Sequence, residues 1–244
     1  MIRSSLLLIL GVAITAFIVS MIIILFPLMQ YGANTVHRVA NLWAKMLLFI
    51  SGVKADVIGC DNIPTSGPHI FMANHQSNFD ILLALAHIPG QFRWIAKKEL
   101  FAIPAFGAAM RKADYIEIDR QNRESALKSL DEAALQVKKG KSLMTFPEGT
   151  RSRDGKLRPF KKGLFYLAIQ SGVHIIPYSI VGSREIMPRR SLRIRPSNVK
   201  IIIAEPIDVR NYNLDRRDDL VKDVRDVILE NYLRYRGDQD GRGE

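Results

Sequence analysis

From residue 53 onward, short apolar runs of strand length alternate with longer stretches of helical period, and this alternation leaves few folds open. Strands are expected at 54–58, 69–73, 92–96, 115–118, 142–146, 174–180 and 199–204, with helices at 78–87, 105–112, 123–139, 162–171 and 216–235. The clearest helix follows Asn122: Ala126, Leu127, Leu130, Ala134 and Val137 form its apolar face, and Gly140 is placed to end it. Strands separated by helices predict an α/β domain with a mixed, largely parallel sheet flanked by helices. Pro177, inside an expected strand, points to an edge or a bulge.

The segment before this domain has a different character. Residues 6–28 are apolar apart from Thr15 and Ser20, and about 20 such residues are enough to span a bilayer. A cleaved signal peptide would have a shorter apolar region followed by a small-residue cleavage site, so an uncleaved membrane helix is expected. Pro27, Gly32 and Asn34 then mark a break or turn. In a second helical stretch, 35–50, Asn34, Arg38, Asn41 and Lys45 gather on one face and Val39, Leu42, Trp43, Met46, Leu47 and Ile50 on the other. That pattern fits a helix lying in the membrane interface and equally one packed on the body. Residues 1–52 are therefore read as membrane-anchoring helices distinct from the catalytic core, 53–236 as the α/β domain and 237–244 as a frayed tail. Whether the first helix crosses the bilayer or only dips into it stays open.

Charge narrows the partners. No acidic residue precedes Asp56, and the net charge of +11 gathers around 93–120, 151–162 and 184–200. Such a surface attracts phospholipid headgroups, phosphorylated substrates or nucleic acid. A basic body beside an apolar helix fits a cytoplasmic placement. The single cysteine, Cys60, excludes an internal disulfide and a cysteine zinc cluster. His37, His69, His87 and His174 show no ligand spacing, so no metal is expected. Nucleic acid is disfavoured by the anchor and by the lack of a reading module. Gly140-Lys141-Ser142 looks like the end of a P-loop, but Leu135 stands where the first glycine is required.

Four stretches could carry chemistry. Asn74-His75-x4-Asp80 joins an expected strand to a helix, placing a histidine beside a carboxylate as a general base and its orienting partner would be. Five His and fifteen Asp in 244 residues would give about 0.3 such spacings by chance, and a turn capped by Asn78 explains the spacing as well. Thr145-Phe146-Pro147-Glu148-Gly149-Thr150-Arg151-Ser152 also follows a strand, with a glycine that permits close backbone approach among polar groups. Arg120 ends the strand at 115–118 and suits two-pronged phosphate binding, and Lys97 and Lys98 end another strand. Ile176-Pro177 is the fourth.

Asn74-His75-x4-Asp80, Ile118-Asp119-Arg120, Phe146-Pro147-Glu148-Gly149-Thr150-Arg151 and Ile176-Pro177 occur in the order of the four motif blocks of the glycerolipid acyltransferases. The chain resembles that family over residues 54–204, most nearly its bacterial-type lysophosphatidate acyltransferases. A glycine common in the second block is replaced around Ala113-Asp114-Tyr115. The resemblance implies transfer of an acyl chain from a thioester, acyl-CoA or acyl-carrier protein, to the free hydroxyl of lysophosphatidate, without a cofactor. His75 and Asp80 would be catalytic. Arg120, Glu148, Gly149 and Thr150 would form the glycerol-phosphate site, with Arg151 and Lys97 assisting. No Gly-x-Ser-x-Gly elbow occurs, in keeping with direct attack by the acceptor hydroxyl. A bacterial inner-membrane location, with membrane phospholipid as a partner, is also implied. Another lysophospholipid or glycerol 3-phosphate as acceptor, or a non-enzymatic protein binding anionic lipid, are the competing readings. Oligomeric state is left open.

Overall fold

The computed structural model describes residues 2–240. Two long helices, α1 (Ile2–Met29) and α2 (Ala33–Ser51), precede β1 (Val53–Ile58), β2 (Ile70–Ala73), α3 (Phe79–His87) and β3 (Phe92–Lys97). Then come the short α4 (Lys98–Phe101), α5 (Phe106–Lys112), β4 (Ile116–Ile118), α6 (Arg123–Lys138), β5 (Ser142–Thr145) and α7 (Lys162–Ser171). The chain continues through β6 (Ile175–Val181), the single turn α8 (Ser183–Ile186), β7 (Ser197–Ile203) and α9 (Arg217–Asp240). The part of the tail expected to be frayed is helical through Asp240, and 241–244 lie outside the described residues.

The strands form one sheet in the order β1-β7-β6-β2-β5-β3-β4, parallel throughout except for β6 against β7. Side-chain alternation along the strands divides the core. Phe71, Phe92, Trp94, Ile176, Tyr178 and Ile180 face α2 and α3. Ile70, Met72, Ile95, Leu143 and Ile175 face α6, α7 and α9. Because β2, β5, β3 and β4 are parallel neighbours, their C-terminal ends open on one edge of the sheet, and the loops that follow converge there.

Three expectations need correction. Pro177 lies in an interior strand, opposite Met72 of β2. Its carbonyl accepts the Ala204 N–H at 2.9 Å, and the β6–β7 ladder begins one residue later at Tyr178 and Ile203, so the missing N–H falls beyond the ladder. Pro27 does not end α1, which runs on to Met29 before the chain reverses through Gln30 (φ +50°). The first two helices are also not separable from the domain. Ala44, Leu47 and Leu48 of α2 share a core cluster with Leu82–Leu85 of α3, and the Asn41 side chain donates to the Leu85 carbonyl at 2.6 Å.

α1 lies along the body rather than projecting from it. Near its start Arg3 donates to the Ser51 carbonyl at 3.0 Å, and Ser4 Oγ accepts the Ile194 N–H at 3.1 Å. Trp43 Nε1 reaches Thr15 Oγ1 at 3.0 Å, and Val19 and Ile22 pack on Ala109 and Ala113. Contacts at residues 3 and 22 are about 28 Å apart along the axis. A helix crossing a hydrocarbon layer of about 30 Å would carry one of those ends away from the body. Its other side, including Ile9, Val12, Phe17 and Ile24, is exposed.

The glycine missing from the second motif block has a structural counterpart. Asp114 sits at φ +56°, in the left-handed region that glycine enters freely and aspartate tolerates. Nearby, His37 of α2 is fully buried, with Nδ1 3.1 Å from the Tyr115 hydroxyl and its ring edge-on to Phe92. Burial, with Arg93 beside it, lowers His37 to about 4. The folded protein therefore keeps this ring neutral where the unfolded chain would protonate it. Stability is lost as pH falls from about 6.5 to about 4, by up to about 3 kcal/mol. Urea titrations across that range are expected to show this loss, and His37→Phe should flatten it. An identical slope in the variant would assign the acid sensitivity to other groups.

Candidate active site

The strand-end loops assemble the site. After β2, Asn74 is held by two hydrogen bonds to β6: its amide donates to the Ile180 carbonyl and its oxygen accepts the Ile180 N–H, both at 2.8 Å. That places His75 at the sheet edge, where it stacks on Phe146 with ring centroids 4.1 Å apart and planes 6° from parallel. Phe146 packs in turn on Trp94. His75 Nδ1 lies 2.8 Å from Asp80 Oδ2. The same oxygen accepts the N–H groups of Gln76 at 2.6 Å and Ser77 at 2.8 Å, and Asp80 is fully buried. Only donors surround this oxygen, so Nδ1 carries the hydrogen and Nε2 remains the basic nitrogen. The capped-turn alternative does not hold for Asn78, whose side chain caps nothing; the first N–H of α3, that of Phe79, reaches Ser77 Oγ at 3.3 Å, while the Asp80 carboxylate holds the loop before the helix.

The loop after β5 supplies the opposite wall. Gly149 has φ +72°, and a Cβ there would meet the Lys161 side chain at 3.4 Å, so glycine suits both the backbone and the space. The Gly149 carbonyl accepts from the Arg120 guanidinium. Thr150 and Arg151 follow, and the Arg151 carbonyl accepts from Arg189 at 2.8 Å.

His75, Lys97, Arg120, Gly149, Thr150 and Arg151 line one cavity of 620 Å³. Asp80 sits behind His75. Glu148 does not face the cavity, contrary to its expected place in the glycerol-phosphate site. It is 2% exposed, with Oε1 accepting the His75 N–H at 2.6 Å and Oε2 the Arg158 N–H at 2.9 Å. Glu148 thus ties the His75 loop to the loop after β5. Burial pushes its carboxyl up to about 7 against the pull of those two N–H donors.

The lining is of two kinds. Lys97, Arg120, Arg151 and Arg189 are cationic, and Arg120 and Arg189 both donate to carbonyls of the loop after β5. Ile18, Val19 and Ile22 of α1, Val36 and Leu47 of α2, and Leu82, Phe106 and Met110 are apolar, with Val19 and Ile22 packed against α5. Sequence reading missed Arg189, which belongs to no motif block and was visible only as part of a basic stretch. It also missed the contribution of α1 and α2, since helical periodicity shows which face is apolar and not what that face covers. Among the described residues no cluster of His, Cys, Asp and Glu could hold a metal ion.

These features define an α/β protein with an apolar N-terminal helix long enough to cross a membrane, whose His–Asp pair opens on a cavity lined by both apolar and cationic side chains. Residues 54–181 match the acyltransferase family model. The chain is 37% identical over 204 residues to a chloroplastic 1-acyl-sn-glycerol-3-phosphate acyltransferase of Brassica napus, covering 81% of this chain and 58% of that protein. It is 28% identical over 208 residues to the Homo sapiens 1-acyl-sn-glycerol-3-phosphate acyltransferase alpha, covering 85% and 74%. The crystal structure of the 1-acyl-sn-glycerophosphate (LPA) acyltransferase from Thermotoga maritima superposes with a TM-score of 0.75 at 28% identity, covering 99% of this chain and 98% of that one. This chain belongs to the acyltransferase family. It spans less than two thirds of the length of the Brassica napus relative.

Proposed function

We propose that the protein transfers an acyl chain from an acyl thioester to the free hydroxyl of lysophosphatidate, giving phosphatidate. The observation that carries this reading is that His75, backed by Asp80, lines one cavity together with four cationic side chains and an extensive apolar wall. A lysophosphatidate has the matching parts: an anionic phosphate, a hydroxyl in the middle and an acyl chain. His75 Nε2 takes the hydroxyl proton as the oxygen attacks the thioester carbonyl, and Asp80 stabilises the imidazolium that forms. The imidazolium proton or solvent then meets the leaving thiolate, whose thiol pKa of about 8.5 makes acid assistance a small requirement. The acceptor supplies the nucleophile, so no enzyme hydroxyl is acylated.

Arg120, Arg151, Lys97 and Arg189 hold the acceptor phosphate, with Gly149 and Thr150 shaping the approach. The outer face of α1 seats the protein in one leaflet, with the basic body on the cytoplasmic side in keeping with the positive-inside tendency. Acyl-CoA and acyl-carrier protein both present the required thioester. The names of the relatives and the polarity of the cavity together favour lysophosphatidate over other acceptors.

The test is a transfer assay on purified protein in detergent micelles, with lysophosphatidate beside lysophosphatidylcholine and glycerol 3-phosphate, and with each donor in turn. Lysophosphatidate should be used fastest; a thioester left unconsumed with every acceptor would reject the reading. Arg120→Ala is expected to raise the KM for lysophosphatidate by about tenfold to a hundredfold, the range of a lost charge-assisted contact, with a smaller change in kcat. An unchanged KM would remove Arg120 from the phosphate site.

A further inference from the structure

The connection between α8 and β7, residues 187–196, touches the site only through Arg189 and through the Met187 carbonyl, which accepts from Ser77 Oγ at 3.0 Å, and its composition is unusual for a loop: Met-Pro-Arg-Arg-Ser-Leu-Arg-Ile-Arg-Pro. It is anchored at its base. Ile194 is buried and bonded through its N–H to Ser4 of α1, and the Arg195 N–H reaches the Ile186 carbonyl at 2.9 Å. The tip turns through Arg190 at φ +69°, closed by the Ser191 N–H on the Pro188 carbonyl at 3.0 Å. Between base and tip, Leu192 points outward at 73% exposure, flanked by Arg190, Arg193 and Arg195, all exposed. Among the described residues none of these three arginines makes an ion pair, whereas Lys98, Lys141, Lys162 and Arg210 elsewhere on the surface do.

The place of the loop matters as much as its composition. Arg3 and Ser4 tie it to the start of α1, beside the exposed Ile2. Pro196 lies against Gly52, where an added Cβ would meet the proline ring at 3.3 Å, and Phe49, one turn before it at the end of α2, is 83% exposed. Ile2, Phe49 and Leu192 are thus three exposed apolar side chains on segments that meet at the start of α1. α2 carries the same mixture on its outer row, where Arg38 and Lys45 alternate with Leu42 and Phe49. An apolar side chain among unpaired guanidinium groups, level with a lipid-facing helix, matches a boundary where acyl chains meet phosphates.

We propose that residues 187–196 form a third membrane contact, in which Leu192 enters the acyl layer while Arg190, Arg193 and Arg195 bind the phosphates of an anionic phospholipid surface. The two helices provide apolar attachment to any bilayer, and this loop adds a preference for negatively charged lipid. It also fixes the rotation of the body about α1, since it contacts the membrane off the helix axis. Arg189, within the same loop, then holds the mouth of the cavity close to the headgroup level.

A fluorophore that reports solvent polarity, attached to Leu192→Cys in a Cys60→Ser background of the full chain, tests this directly. On vesicles of phosphatidylcholine with phosphatidylglycerol, the probe should shift to an apolar environment and be quenched by nitroxide-labelled lipid. On phosphatidylcholine alone the change should be weaker. Adding Arg190→Ala, Arg193→Ala and Arg195→Ala should reduce the preference for phosphatidylglycerol on the order of fivefold per arginine. A probe that stays in water on both vesicles, or enters both equally, would overturn the proposal. Protection by acyl-carrier protein without vesicles would overturn it too, by assigning the patch to the donor. The inference rests on membrane association, not on the acyl-transfer reading: the triple variant should keep its transfer rate in detergent micelles, and absence of transfer by the unmodified protein there would reject the reaction while leaving the vesicle result intact.

Discussion

His75→Ala is expected to lower the rate of acyl transfer by about 10²- to 10⁴-fold, the range for loss of a positioned general base, with the fold intact. The effect should be in kcat, since in the proposed reaction His75 takes the proton of the acceptor hydroxyl and does not bind the phosphate. Its ring stacks on Phe146 at the cavity wall and is only partly buried, so its removal leaves a pocket that solvent fills rather than a collapsed core. Circular dichroism and the thermal transition should therefore stay close to those of the unmodified protein. Asp80→Asn separates chemistry from position: the amide retains the size of the carboxylate but cannot both accept the Gln76 and Ser77 N–H groups and stabilise an imidazolium. A His75→Ala protein that keeps transferring at an undiminished rate would remove the base from the mechanism.

Glu148→Ala is expected to be damaging for a different reason. Its two oxygens are the acceptors for the His75 and Arg158 N–H groups, and Glu148 itself is buried although both bonds are only part-buried. Leaving two such donors unpaired costs about 2–5 kcal/mol and frees the His75 loop from the loop after β5. Glu148→Gln can still accept one of the two bonds and should fall between. If Glu148 positions the base, kcat falls in both variants while the KM for lysophosphatidate changes little, and the melting temperature falls with it. A change confined to the acceptor KM, at unaltered stability, would return Glu148 to the substrate site in which its motif suggested it belonged.

That reassignment shows what a sequence can and cannot display. Alternation of apolar runs located every strand of the sheet to within a residue or two, because burial on one or both faces of a strand leaves a periodic mark. The His75–Asp80 pair was legible because only one short loop separates His75 from Asp80 in the first turn of α3. Glu148 was legible as a candidate site residue but its orientation was not, since a motif does not show which way a carboxylate points. Glu148 is buried, with the left-handed Gly149 next to it in the loop. Pro177 was misread because pairing in a mixed sheet depends on partners distant in the chain. α1 carried an apolar signal on all sides, so nothing in its periodicity revealed that Ile18, Val19 and Ile22 wall the cavity. Arg189 lacked any local pattern; only the fold brings it next to Arg151.

Direct transfer to the acceptor hydroxyl can be measured in one experiment. Purified protein is mixed with an acyl thioester labelled in the acyl chain, with or without lysophosphatidate, and quenched at times shorter than one turnover. With acceptor present, label should pass from thioester to phosphatidate in equal amounts, and without acceptor the protein should carry none. Label bound covalently to the protein in stoichiometric amount before acceptor is added would contradict His75 acting as a base for the substrate's own hydroxyl.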